Sequence, residues 1–324
     1  MPELPDIAVY AESLQAKVQG ATLSRVKIGT PFLLRTAVPP LDSTFGRHVR
    51  AIERLGKRVV IALEADLFLV VHLMIAGRLH WHPSGGKAPA KGALARFEFD
   101  GVGTLALTEA GTQRRASLHV VDGRAALQAM DPGGVDVLSC SGAEFARRLA
   151  SENHTLKRAL TNPQLFAGIG NAYSDEILHR AKLSPVTLTR KLDAGESQRL
   201  HDAARAVLTE WTERLREEAE AHAGWPPKVT AFHPQMAVHG RYGRPCPVCA
   251  TPVQRIVHGS PAPARASRAA PRGGAAALGA AQRSANETNY CPRCQTGGKL
   301  LADRALSKLL HASWPKHIDD IEPS

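Results

Sequence analysis

The chain is 324 residues long, enough for two or three domains that each bury a core of their own. Lysine and arginine total 41 against 30 acidic residues, and the formal charge of +11 favours a polyanionic partner. No basic segment followed by an apolar stretch marks a secretory leader, and no apolar run reaches membrane-spanning length, so a soluble, cytoplasmic protein is expected.

Met1-Pro2-Glu3-Leu4-Pro5-Asp6 opens the chain. Removing Met1 would leave the secondary amine of Pro2 as the terminus, with the Glu3 carboxylate beside it. An α-amino group titrates near pH 8, so roughly a tenth or more of it is an uncharged nucleophile at neutral pH, whereas a free lysine is almost wholly protonated. A secondary amine attacking an aldehyde carbon such as C1′ of a deoxyribose gives an iminium ion directly, and Glu3 is placed to shuttle protons. Taken alone, the same hexapeptide also reads as an ordinary extended start that resists aminopeptidases.

Apolar residues at helical spacing predict a helix over 7–19 that holds this terminus. Between residues 21 and 121 the pattern turns to β, with strands at 59–63, 67–71, 95–99 and 118–121 between Gly, Asp and Pro turns. Helical text follows at 143–150, 156–160, 171–179 and 197–223, where the Leu200, Val207, Leu208, Trp211 and Leu215 stripe reads as core. The fold class is therefore α+β. An N-terminal β-sandwich with a flanking helix spans 1–131, a helical region 132–224, and a cysteine-bearing region 225–324. Within the last, residues 260–285 are a run of Ala, Gly, Pro and Ser with four arginines and no acid, which cannot bury a core and is expected to be disordered.

Cys246-Pro247-Val248-Cys249 and Cys291-Pro292-Arg293-Cys294 each put two thiolates on a turn, and Cys140 stands apart. Two such knuckles supply the four ligands of a closed tetrahedral zinc site, so one structural Zn2+ bound by Cys246, Cys249, Cys291 and Cys294 is expected. Setting the low-complexity run aside, the spacing between the knuckles is that of a β-hairpin finger. Cys140 reads as a small buried hydrophobe.

Phe166-Ala167-Gly168-Ile169-Gly170-Asn171 joins two helical stretches through a turn whose glycines would let a phosphate approach the backbone, with N–H donors at the following helix start. This turn, the first six residues, Arg54-Leu55-Gly56-Lys57, His72-Leu73-Met74-Ile75-Ala76-Gly77 and the paired cysteines together resemble the formamidopyrimidine-DNA glycosylase and endonuclease VIII family of base-excision repair enzymes. Leu4 and Gly56-Lys57 look more like the formamidopyrimidine branch. The resemblance implies a bifunctional DNA glycosylase and AP lyase, monomeric and nucleoid-associated through its substrate, acting on double-stranded DNA with damaged bases or abasic sites. It also implies a β-sandwich, a helix-two-turn-helix domain and a zinc finger. Carried over, Pro2 is the Schiff-base nucleophile, Glu3 the proton shuttle and Lys57 the lysine that contacts phosphate and assists β-elimination. His72 and Asn171 match phosphate clamps, and Lys157, Arg114, Arg115 and Asn286 are expected to contact DNA.

Three features depart from that family: the finger tip, the residues that fill the gap left by a flipped base, and the loop over the extruded base. Asn286 stands where a finger arginine grips phosphate, and brings no charge. Ile75, with Met74 beside it, stands at the usual methionine, and Arg115-Ala116 replaces an Arg-Phe pair whose aromatic fills the gap left by a flipped base. Residues 224–239 are short where formamidopyrimidine enzymes carry a long loop. A non-catalytic DNA-damage binding protein on the same scaffold and a small-molecule enzyme using N-terminal proline are the competing readings.

Overall fold

A computed structural model of the chain describes residues 1–86, 92–110, 114–227, 232–257, 287–301 and 315–320. The 260–285 run and Asn286 lie outside them. The described residues cluster into two compact units, one drawn from Met1–Ser151, Leu160–Gly170 and Ala204–Ala231, the other from Glu152–Ala159, Asn171–Ala203 and Phe232–Ser324.

In the first unit, helix α1 (Leu4–Val18) starts where proline is tolerated, with Pro5 in its first turn, and the Glu3 N–H donates to Asp6 Oδ2 at 2.8 Å. Ile7, Tyr10, Leu14 and Val18 recur three and four apart and enter the main core, while Val9 packs on Leu215 and Ala219.

Eight antiparallel strands follow: β1 (Thr22–Ile28), β2 (Arg47–Leu55), β3 (Arg58–Leu63), β4 (Leu67–His72), β5 (Gly77–Pro83), β6 (Ala93–Phe99), β7 (Gly103–Glu109) and β8 (Ser117–Asp122). Their order is β5-β7-β6-β1-β2-β3-β4-β8, but β1 and β2 pair only at Thr22↔His48 and Leu23↔Arg47. That thin join divides the sheet into two four-stranded halves that share one core, the expected sandwich.

Strands β3 and β4 are unbroken apolar runs because both faces are covered. Val59, Ile61, Leu69 and Val71 enter the main core, while Val60, Ala62, Phe68 and Val70 meet Leu127 of α2 (Arg124–Gln128) on the other side. The four strands read from sequence are β3, β4, β6 and β8. Strand β2 escaped because its charged residues, from Arg47 to Arg54, interrupt any apolar run.

Helix α3 (Gly142–Ala150) is capped by Ser141, whose hydroxyl accepts the Glu144 N–H at 3.2 Å. Helices α4 (Leu156–Thr161) and α5 (Asn171–Ala181) flank the Gly-x-Gly turn, and α6 (Ala194–Glu220) carries the stripe read as core, with Leu200, Val207, Leu208, Trp211 and Leu215 all buried. Past α6, Trp225 packs back in the first unit: its ring lies 5.6 Å from Tyr10 and its Nε1–H donates to the Leu79 carbonyl at 3.2 Å. In the second unit β9 (Gln254–Val257) pairs with β10 (Glu287–Tyr290) as a hairpin, followed by α7 (Pro292–Thr296).

Candidate active site and metal centre

Glu3 and Leu4 are held by the turn that precedes α5. The Leu4 N–H donates to the Gly168 carbonyl at 2.9 Å, and the Gly170 N–H donates to Glu3 Oε2 at 2.6 Å. Gly168 has φ +81°, and a Cβ there would sit 2.8 Å from the Leu4 Cβ; one on Gly170 would sit 2.5 Å from Glu3 Cδ. The glycines are thus required by the close approach of the N-terminal chain, a different reason from the phosphate approach read from sequence. Leu4 and Glu3 are each 1% exposed, Pro2 is buried and Met1 is half-buried.

Burial lowers the terminal amine of Met1, against the opposing pull of Glu3. Removing Met1 would leave Pro2's amine in the same poorly solvated surroundings. Asp6 is also buried, and its carboxyl is pushed up to about 7 in spite of the Glu3 N–H bond. Beside this terminus lies a cleft lined by Met1, Lys57, Arg58, His72, Met74 and Gly168 among others. Lys57 follows Gly56, whose φ of +58° turns β2 into β3. Burial pulls its ammonium below the usual lysine range, while Glu3 resists.

His72, the last residue of β4, is lowered to about 4, first by burial and then by Arg58, Lys57 and His119. It is therefore a neutral hydrogen-bonding group at physiological pH. Arg58, not singled out from the sequence, pairs with His72 across β3 and β4, lines the same cleft, and donates to the Met130 carbonyl at 3.0 Å. Its signal was the doublet Lys57-Arg58 at a hairpin.

The structure does not bring every expected residue of this unit to the cleft. Arg114 and Arg115 are exposed outside its lining; the Arg115 and Ala116 N–H groups donate to the Glu109 carboxylate at 3.0 and 3.1 Å. Ala116, where the family pattern has an aromatic, is buried in the core. Ile75 is 44% exposed at the turn between β4 and β5, and Met74, at φ +52°, lines the cleft.

The second unit gathers Lys157, Asn171 and the four paired cysteines. The Lys157 ammonium lies 2.5 Å from Asp175 Oδ1 and donates to the Asn171 carbonyl at 2.6 Å, so its charge is used inside the unit. Asp175 Oδ2 also faces His239 Nδ1 at 2.7 Å and accepts the Asn289 N–H at 3.1 Å. Burial alone would raise Asp175, but Lys157 and His239 outweigh it and the carboxyl ends below its ordinary value. Glu176 accepts the backbone N–H groups of Ala237, Val238 and His239. Asn171 Nδ2–H donates to the Glu287 carbonyl at 3.0 Å. None of Asp175, Glu176 and His239 was singled out from sequence, because nothing local distinguishes a pairing acid from a solvated one.

The sulfurs of Cys246, Cys249, Cys291 and Cys294 all lie within 4.8 Å of one another, with Cys249 3.4 Å from Cys291 and Cys246 3.9 Å from Cys294. Tetrahedral thiolates around one zinc, with bonds of about 2.3 Å, stand roughly 3.8 Å apart, so the donor set fits a single closed metal site. Cys140 is buried and takes no part. Among the described residues no helix is long and apolar enough to cross a membrane.

Two family models match the chain: the formamidopyrimidine-DNA glycosylase N-terminal domain over residues 1–125 and the formamidopyrimidine-DNA glycosylase H2TH domain over residues 135–219. A formamidopyrimidine-DNA glycosylase of Thermus thermophilus is 31% identical over 307 residues, covering 92% of this chain and all of that one. The crystal structure of the MutM (Fpg) protein from Thermus thermophilus superposes with a TM-score of 0.70 at 29% identity, covering 91% of this chain and 98% of its own. The Lactococcus lactis Fpg in complex with a FAPY-dG containing DNA has the same fold, with a TM-score of 0.73 at 20% identity, and covers 91% of this chain and all of that one.

Proposed function

The chain belongs to the formamidopyrimidine-DNA glycosylase family, and we propose that it excises damaged bases from double-stranded DNA and cleaves the abasic site that remains. Once Met1 is removed, the secondary amine of Pro2 attacks C1′ of a nucleotide turned out of the helix. The glycosidic electron pair leaves with the base, which takes a proton; the Pro2 nitrogen, having lost its own proton, then expels O4′ from C1′, so that the opened sugar carries an O4′ hydroxyl and an iminium joins Pro2 to C1′. Loss of a C2′ proton then expels the 3′ phosphate, and water releases the enzyme. Glu3 carries the protons; Lys57 contacts the phosphate and assists the elimination.

The observation that carries this reading is the clasp of Glu3 and Leu4 on the Gly168–Gly170 turn, which fixes the terminus beside Lys57 at one cleft. DNA contacts are assigned to His72, Arg58, Arg114, Arg115, Asn171 and Asn286, with the excess positive charge drawing the polyanion in. Lys157 acts as a positioning residue for the start of α5. The four cysteines hold one zinc, which supplies folding energy to the finger and takes no part in the chemistry. The division of labour follows the chain, with catalysis in 1–131 and DNA grip in 132–224 and 225–324.

Borohydride trapping on duplex DNA with an abasic site tests the proposal. The chain freed of Met1 should form a reducible covalent adduct. Trapping as strong from a Pro2→Gly variant or an uncleaved N-terminal tag would remove Pro2 from the mechanism, and tight binding with no adduct would make the protein a damage-binding scaffold.

A further inference from the structure

One face of α5 is bonded throughout to the cysteine-bearing region. Asn171, Asp175 and His179 recur every four residues, which places them on one side of the helix. The first holds the Glu287 carbonyl and the second the Asn289 N–H and His239. The third, 6% exposed, puts its Nε2 3.2 Å from the sulfur of Cys246. Asn171 and Asp175 bond ordinary polar groups; His179 alone of the three meets a metal ligand.

We infer that His179 donates an N–H···S hydrogen bond to the metal-bound Cys246 thiolate and so holds the first ligand of the site in place from α5. A thiolate on a metal offers only lone pairs, so the ring atom facing it must carry the hydrogen, which assigns the Nε2–H tautomer. Four thiolates around a divalent cation leave two negative charges on sulfur. Cys246 receives a second donor, the Val248 N–H at 3.4 Å, so its charge is dispersed into two hydrogen bonds. A sulfur engaged in this way is a poorer nucleophile and is slower to be protonated, alkylated or displaced by a chelator. Metal occupancy thereby becomes mechanically linked to the helix that Asn171 opens.

The inference rests on the reading of the four cysteines as a metal site, and the test separates the two. Metal analysis of the full chain comes first: absence of bound metal ends both. With metal bound, the full chain substituted with 113Cd is examined for histidine ring N–H correlations. A slowly exchanging Nε2–H of His179 split by 113Cd is expected; a His179 ring without hydrogen on Nε2 overturns the inference while leaving the metal site standing. Zinc transfer to 4-(2-pyridylazo)resorcinol gives the second readout. His179→Phe should release zinc about tenfold or more faster, the usual effect of losing such a partner, whereas His179→Gln, which keeps an N–H donor, should stay near the wild-type rate. Iodoacetamide should then label Cys246 earlier in the Phe variant than in the wild type. Equal release from Phe variant and wild type overturns the proposal, and if the Phe variant does not fold, the cadmium spectrum of the wild type decides alone.

Discussion

Around the N-terminus burial pulls the Met1 amine and Lys57 down and pushes Asp6 up to about 7, whereas around α5 the equally buried Asp175 ends below its ordinary value. The difference lies in partners. Asp175 has an ammonium, an imidazole and the backbone and side-chain N–H groups of Asn289 within hydrogen-bond range; the N-terminal groups are crowded by helix and sheet with fewer opposite charges to compensate. Incomplete compensation keeps an amine partly neutral near physiological pH, which a nucleophile requires. Compensation at Asp175 makes a rigid mount for the start of α5, while its neighbour Glu176, met by the backbone N–H groups of Ala237, Val238 and His239, is still pushed up by burial. The contrast is thus between the N-terminal groups and the Lys157–Asp175–His239 cluster.

The largest effect should come from Glu3→Gln. It leaves an acceptor for the Gly170 N–H but removes the proton carrier, so base excision should fall about 10²- to 10⁴-fold while zinc content holds. Retained turnover would mean that the N-terminal carboxylate is only a helix cap. In the second region, Lys157→Met leaves Asp175 buried without its cation and should cost about 3–5 kcal/mol in denaturant melts. Removing both partners, as Lys157→Met with Asp175→Leu, should recover part of that loss. An unchanged melt for the single variant would dissolve the contrast between the regions.

Gly170→Ala sharpens the comparison from the side of sterics. Its Cβ would stand 2.5 Å from Glu3 Cδ, so a loss of about 1–3 kcal/mol together with slowed excision is expected, with the zinc retained. A variant that is stable but inactive would show that the clasp positions Glu3 more than it supports the fold. The smallest effect concerns pH. His72 is depressed from 6.5 to about 4, so its contribution to stability is fully present above 6.5 and is lost as pH falls from there through 4. A phosphate beside it would favour the charged ring and raise it from about 4, so DNA binding should take up a proton and tighten as pH falls from neutral toward 4. His72→Gln should flatten that dependence, measured as affinity against pH at constant salt; an unchanged slope would place His72 away from the phosphate.

Much of the site was legible because some chemistry is written locally. An N-terminal proline beside a glutamate, a Gly-Lys hairpin and two Cys-x-x-Cys knuckles each carry their meaning within a few residues, and the apolar runs of β3 and β4 declare strands buried on both faces. The charged strand β2, which buries only Val49, and the short helix α2, which buries only Leu127, gave no such local sign.

Sequence by itself determined the α+β class, the family, a nucleophile candidate and a candidate metal-ligand set, because residue type and spacing suffice for each. Only the tertiary structure decided that Gly168 and Gly170 exist to admit Glu3 and Leu4, that Lys157 belongs to Asp175, and that His179 faces Cys246. These are pairings across tens or hundreds of residues. A buried charge or a missing Cβ has no meaning until the fold supplies what it meets, and no local pattern encodes that.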